Sequence, residues 1–337
     1  MCDTLADVDI DALRAARAGS WDRLHELARR RRMAGAEIDE LSVLYRQGAA
    51  DLASVRAQNP DPDLIRALSR DLAAARARLT GAPGASTASL SRWFRVSLPA
   101  ALFVTRWWII GVTAAFLLVA SLQAWWLLRD PTLFAALGSP SELETYAQRD
   151  FVAYYSQDTA SEFGASVWFN NAFIALQCIG GGITGVFPVY VLFQNAQSLG
   201  TSAAVVIEYA GPGQFFGFIL PHGIPELTAI FIAGAAGLRV FWSMLVPGAR
   251  TRLQAVAATG RAMVTIALGL VILLFVSGVL EGFVTPSGLP VWLKIALGAS
   301  VTAAVWVYVL VVGGRAARAG YSGDLESDAG YAVPVAD

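Results

Sequence analysis

His222 and Glu226 stand four residues apart inside one of the most apolar stretches of the chain, Phe218-Ile219-Leu220-Pro221-His222-Gly223-Ile224-Pro225-Glu226-Leu227-Thr228-Ala229-Ile230. An ionisable side chain at bilayer depth costs at least ~2.5–3.5 kcal/mol on insertion scales, so it persists where it has partners and usually a task. Two more carboxylates occupy similar settings. Glu208 precedes Gly211-Pro212-Gly213, and Glu281 opens Glu281-Gly282-Phe283-Val284-Thr285-Pro286-Ser287. Asn170 and Asn171 place adjacent amides in a third apolar stretch. Acids and an imidazole from distant segments can line one outward-facing polar cleft and relay protons or a substrate. A single metal site is also conceivable, but the spacing does not specify one. A zincin needs two histidines at i, i+4 around a Glu, and the only other histidine is His25.

Each of these residues also has a purely structural reading. Pro225 suits the first turn of a helix, and Glu226 would then be favoured by the helix dipole. A helix running on from Pro221 would instead put His222 and Glu226 on one face, but the ring of Pro225 opposes the carbonyl of residue 221. Asn170 and Asn171 can hydrogen-bond neighbouring helices. Glu208 can pair with Arg239, and the segment after Glu281 has the composition of a capped turn.

The elements that must position these groups are helical. Hydrophobic residues make up 55% of the chain and charged residues 15%, against ~25% charged in soluble domains. The charge is concentrated at the front. Residues 1–80 carry an apolar stripe (Leu13, Leu24, Leu27, Ile38, Leu41, Leu44, Leu52, Val55, Ile65, Leu68, Leu72) at spacings of amphipathic helices. They predict a soluble module of three or four helices, with a break at Asn59-Pro60-Asp61-Pro62 and the first helix closed by Arg29 to Arg32. Residues 81–101 read as a Gly/Pro/Ser-rich linker followed by an interfacial amphipathic helix around Trp93-Phe94-Arg95.

Residues 102–314 read as a transmembrane helical domain. Apolar spans are expected over about 103–128, 165–193, 199–220, 225–246, 262–281 and 291–312, each near the ~20 residues that a bilayer requires. The segment 130–162 is polar and aromatic and is expected outside the hydrocarbon. Pro212 and its flanking glycines predict a broken third helix. Six crossings put Arg92 and Arg95, then Arg250, Arg252 and Arg261, then Arg315 and Arg318 on one side, which the positive-inside rule makes cytoplasmic. Both termini then lie there, and 315–337 reads as a disordered tail. Small residues at four-residue spacing, Gly181 with Gly185 and Ala233 with Gly237, predict close helix packing and a homodimer face.

The expected class is therefore an all-α, polytopic membrane helix bundle with an N-terminal soluble helical module. Two cysteines, Cys2 and Cys178, cannot form a disulfide framework, and the polar, acidic start does not read as a cleavable signal peptide. No nucleotide motif, catalytic triad or nucleic-acid-binding surface is legible, so no cofactor is expected and enzymatic activity is not.

The stretch Pro221-His222-Gly223-Ile224-Pro225-Glu226-Leu227-Thr228-Ala229-Ile230, with Ala233-Gly234-Ala235-Ala236-Gly237-Leu238, resembles the stage II sporulation protein M family (SpoIIM, DUF95). So do the Asn170-Asn171 pair and Glu281-Gly282-Phe283-Val284-Thr285-Pro286-Ser287. Trp21-Asp22-Arg23-Leu24 and the Arg run after it resemble the family's actinobacterial branch. The resemblance runs from about residue 8 to the end of the last span. It implies a plasma-membrane scaffold for an envelope or peptidoglycan-remodelling complex, with a cytoplasmic AAA ATPase or envelope-complex proteins as partners beside membrane lipids. It brings no established chemistry for His222, Gly223 or Glu226. The rival expectation is a transporter, channel or lipid-handling protein that uses Glu208, His222, Glu226 and Glu281.

Overall fold

The computed structural model describes residues 10–30, 33–58, 62–79, 87–153 and 159–324. These residues are helical with short joints, and no strand occurs among them. The chain divides into two compact units, Met1–Ser91 and Arg92–Asp337.

In the first unit, α1 (Ile10–Arg29), α2 (Gly35–Gln58) and α3 (Pro62–Leu79) pack on one another. Part of the predicted stripe is their core: Leu24, Leu27, Leu41, Leu68 and Leu72 are buried together, whereas Ile38 is exposed and Leu64 is buried in place of Ile65. Polar contacts tie the helices side by side. The Trp21 indole donates to Asp51 at 3.0 Å, and the Arg23 guanidinium forks onto both oxygens of Glu40 at 2.9 Å each. The first helix ends at Arg29; Arg31, Arg32, the break at 59–61 and the linker residues 81–86 lie outside the described residues.

The second unit begins at the last residue of α4 (Thr87–Arg92), which runs through a widened turn, Trp93–Ser97, into α5 (Leu98–Arg129). The apolar helix is continuous over Ser89–Arg129, so the expected interfacial helix is the start of the first long rod. Short helices α6 (Pro131–Ala135), α7 (Pro140–Thr145) and α8 (Phe151–Ala153) follow. Asp130 caps α6, and Ser139 with Glu142 forms a capping box at α7. Their apolar residues Leu143, Ala147 and Phe151 cluster with Val206 and Phe215 from the long helices.

The rest of the bundle is α9 (Ala160–Gly180), α10 (Val186–Ala210), α11 (Pro212–Leu245), α12 (Arg252–Val279), α13 (Val291–Val307) and α14 (Gly314–Arg318). Among the described residues four helices are long and apolar enough to cross a membrane: Ser89–Arg129, Pro212–Leu245, Arg252–Val284 and Val291–Arg318. Trp107, Trp125, Trp126 and Trp292 are exposed on them, as suits indoles facing lipid and its interfaces. The central helix is α11, which packs against α5, α9, α10, α12 and α13.

Three expected span boundaries move. The expected span 165–193 is two helices, α9 and α10, separated by a turn that ends at Gly185. The break at Gly211-Pro212 does not interrupt a span; it is the joint between α10 and α11. Both joints use glycine at positive φ, 68° at Gly185 and 86° at Gly211, a conformation that hydropathy does not register. The third correction concerns α11, which continues through Pro221 and Pro225 instead of beginning at Pro225. Neighbouring helices make this tolerable by covering backbone groups. Ser277 of α12 donates to the His222 carbonyl at 3.0 Å, and Gly298 of α13 lies against the Pro221 carbonyl, whose usual donor is the missing N–H of Pro225.

The tail also differs from expectation. Arg261 forks onto Asp324 at 2.6 and 2.9 Å, and Thr265 donates to the Gly323 carbonyl at 3.0 Å. Gly323 and Asp324 are thus tied to α12 and α14 packs on α5, while 325–337 lie outside the described residues.

Candidate functional site

The continuity of α11 decides the site. With the helix unbroken, His222 and Glu226 are one turn apart on the same face. Glu281 comes from the far end of α12, where the last turn widens over Leu280–Val284 and closes with Thr285 N–H donating to the Leu280 carbonyl at 2.9 Å. Such widened turns recur at functional sites because the extra residue redirects side chains. Ligand-capable atoms of His222, Glu226 and Glu281 all lie within 4.8 Å of one another. His222 and Glu281 are buried, and Glu226 is partly exposed as a residue while its carboxyl group lies in the interior.

The surroundings fix how each group presents itself. Thr285 Oγ1 lies 3.1 Å from His222 Nδ1 and 3.3 Å from the Leu280 carbonyl. A threonine hydroxyl has one proton. If it donates that proton to the carbonyl it accepts from Nδ1–H, the arrangement in which Nε2 carries the imidazole lone pair. Nε2 is 3.7 Å from Glu281 Oε1. Glu226 interacts with the side chains of Glu281 and Asn171, and Asn171 is buried. Lys294 of α13 is buried close by, and its Nζ donates to the Thr285 carbonyl at 2.7 Å. Glu281 Oε2 is buried with no hydrogen-bond partner. Two carboxylates facing each other in an apolar bundle repel when both are ionised, and the arrangement calls for a shared proton or a cation between them.

Of the six residues expected in a polar cleft, His222, Glu226, Glu281 and Asn171 come together. Glu208 and Asn170 are exposed on α10 and α9 and stay outside the cluster. Arg239 donates to Thr105 at 2.9 Å. Thr285, in the stretch that follows Glu281, completes the site together with Ser277 and Lys294, which are not among the expected residues. Lys294 had a visible signal, being the sole lysine of an arginine-rich chain.

The small residues work inside the chain. Gly181 and Gly185 belong to the turn between α9 and α10, where a Cβ at Gly185 would lie 2.6 Å from the Phe241 ring. Gly237 packs on the Cys178 carbonyl, and Ala233 is fully buried. The faces expected to serve self-association are filled from within the chain.

Residues 11–81 match a domain of unknown function, DUF8413, so the front of the chain, expected to continue the same resemblance, is a separately recognised domain. No curated protein and no solved structure matches the chain significantly. Residues 105–286, more than half of the sequence and all of the His222–Glu226–Glu281 cluster, match Stage II sporulation protein M: the chain belongs to the Stage II sporulation protein M family.

Proposed function

We propose that this protein is an integral membrane scaffold of the Stage II sporulation protein M type. One observation carries the reading: the titratable groups expected to form a relay do not line up. Among the described residues His222, Glu226 and Glu281 make one local cluster with Asn171, Glu208 is exposed outside it, and the other polar groups that α11 turns into the bundle, Thr228 and Arg239, are bonded to the Ile224 carbonyl and to Thr105 within a core rich in Ala, Ile, Leu, Val and Phe. A proton or substrate pathway needs polar groups in sequence along the bundle. A local cluster between α11 and α12 suits the fixing of helices against each other.

In this reading α9 and α10 cross the membrane with the four longer helices, giving six crossings. Arg92, Arg95, Arg250, Arg252, Arg315 and Arg318 then share the cytoplasmic side of the plasma membrane. The three-helix unit lies on that side and docks a partner, an AAA ATPase or an envelope-complex protein by the family resemblance. The test has two arms. Cross-linking in cells identifies the partner, whose recovery is lost when residues 1–80 are deleted and kept in Glu226→Gln. Reconstituted vesicles show no proton, ion or lipid flux above empty vesicles. Flux abolished by Glu226→Gln in a folded protein refutes the scaffold.

A lipid-handling reading has one observation in its favour. A groove of about 380 Å³ lined by Leu102, Ile232, Leu270, Val301, Val305 and Tyr308 opens between α12 and α13. Its lining suits an acyl chain. Ala304→Trp, at the groove wall, would displace co-purified lipid if the groove is occupied.

A further inference from the structure

We propose that His222, Glu226 and Glu281 form a binding site for one divalent transition-metal ion of the zinc class, tying α11 to the end of α12. The inference goes beyond the scaffold reading and stands or falls independently of it.

Four features of the cluster converge. The first is the donor set, one imidazole nitrogen and two carboxylates, which suits zinc and its neighbours; magnesium and calcium favour all-oxygen sites. The second is spacing. Zinc bonds of ~2.0–2.1 Å put tetrahedral ligand atoms roughly 3.3 Å apart. Nε2 and Glu281 Oε1 are already 3.7 Å apart, and the widest separation of 4.8 Å is within reach of small side-chain rotations.

The third feature is the imidazole's orientation. Ligating histidines characteristically donate their other ring N–H to a fixed acceptor, which sets the tautomer. Thr285 Oγ1, 3.1 Å from Nδ1 and itself within reach of the Leu280 carbonyl, is placed to fill that role, with Nε2 turned toward Glu281 Oε1. The fourth is the orphaned Glu281 Oε2, on a side chain that is 4% exposed. A buried carboxylate oxygen without a donor is costly, and coordination answers that cost. Lys294 Nζ, which donates to the Thr285 carbonyl, does not hydrogen-bond that oxygen. Three protein ligands leave a fourth position for water, next to Asn171 and the Glu226 carboxyl.

The test uses the full-length protein, purified in detergent without chelator and without a polyhistidine tag. It is incubated with Zn²⁺, desalted and assayed for metal by elemental analysis, then titrated against a chromophoric competitor. The expected result is stoichiometric Zn²⁺ retained by the wild type. Thr285→Val should weaken binding ~10–100-fold, as loss of an outer-shell partner does, and Glu281→Gln should weaken it further. Fold is checked by helical circular dichroism and monodisperse elution. Asn171→Asp covers the case in which Glu281→Gln fails to fold: it adds a carboxylate beside Glu226 and should tighten binding. A role confined to helix packing would not produce that gain. The proposal is overturned if the folded wild type retains no Zn²⁺, if Mg²⁺ binds in preference, or if folded Glu281→Gln retains as much Zn²⁺ as the wild type.

Discussion

The tightest backbone approach in the bundle gives the sharpest test of the fold around the site. A Cβ built on Gly298 would lie 2.0 Å from the Pro221 carbonyl oxygen and 2.8 Å from its carbon. Carbon–oxygen contacts between helices settle at ~3.3–3.6 Å. Gly298→Ala therefore forces α13 away from α11 by more than an ångström, or bends α11 at its two prolines. Overpacking of this kind costs ~1–3 kcal/mol. Replacing a mid-helix glycine with alanine returns ~0.5–1 kcal/mol of backbone entropy. The net expectation is a loss of about 1–2 kcal/mol.

Gly111 in α5 is the matched control, because nothing lies within 4 Å of a Cβ placed there. Gly111→Ala keeps the entropy gain without the clash and should stabilise by ~0.5–1 kcal/mol. Both variants are compared with wild type by reversible SDS unfolding in mixed micelles, followed by circular dichroism. Gly298 is one turn after Lys294, so withdrawal of α13 also pulls Nζ from the Thr285 carbonyl and loosens the residue that holds His222. Weaker Zn²⁺ binding should accompany the lost stability. Equal stabilities for Gly298→Ala and Gly111→Ala would refute the seating of α13 on the proline segment, and the covering argument for that helix with it.

Three further expectations concern other regions. Leu41 is fully buried in the three-helix unit, and Leu41→Ala should lower that unit's stability by ~2–5 kcal/mol, read by denaturant unfolding. Hydrogen bonds from Arg23 hold the Glu40 carboxyl below its ordinary value of 4.5. Because its folded-state pKa is depressed, its contribution is complete above that ordinary value and is lost as pH falls through the lower folded one. The same unit should weaken below pH 4.5, and Glu40→Gln should flatten that acid limb in a pH series of melts. Glu208 is exposed and outside the cluster, so Glu208→Gln should change stability by less than ~0.5 kcal/mol and leave Zn²⁺ retention unchanged; a loss of metal would place it in the site after all.

Periodicity and hydropathy carried the helical class, most of the core of the front unit and the apolar character of the long helices, because these follow from which side chains leave water. They could not find the helix ends, because the two joints are made by backbone conformation at Gly185 and Gly211 inside uniformly apolar sequence. Glu208 and Asn170 looked equivalent to Glu226 and Asn171 for the same reason. In a helix packed on one side, one step along the sequence separates a buried amide at Asn171 from an exposed one at Asn170. The pairing of His222 with Glu226 was visible as an i, i+4 spacing, yet Pro225 argued against a shared face. What reverses that argument lies on other helices: the Ser277 hydroxyl and the bare backbone of Gly298 cover the proline segment. The prolines then have a physical role. Pro225 leaves the Pro221 carbonyl without its helical donor at the seat of α13, while α12 bonds the neighbouring His222 carbonyl and brings Glu281 and Thr285 to the imidazole. The site and the irregular helix are thus one structure, and a change that straightens or separates the helix should be felt at His222.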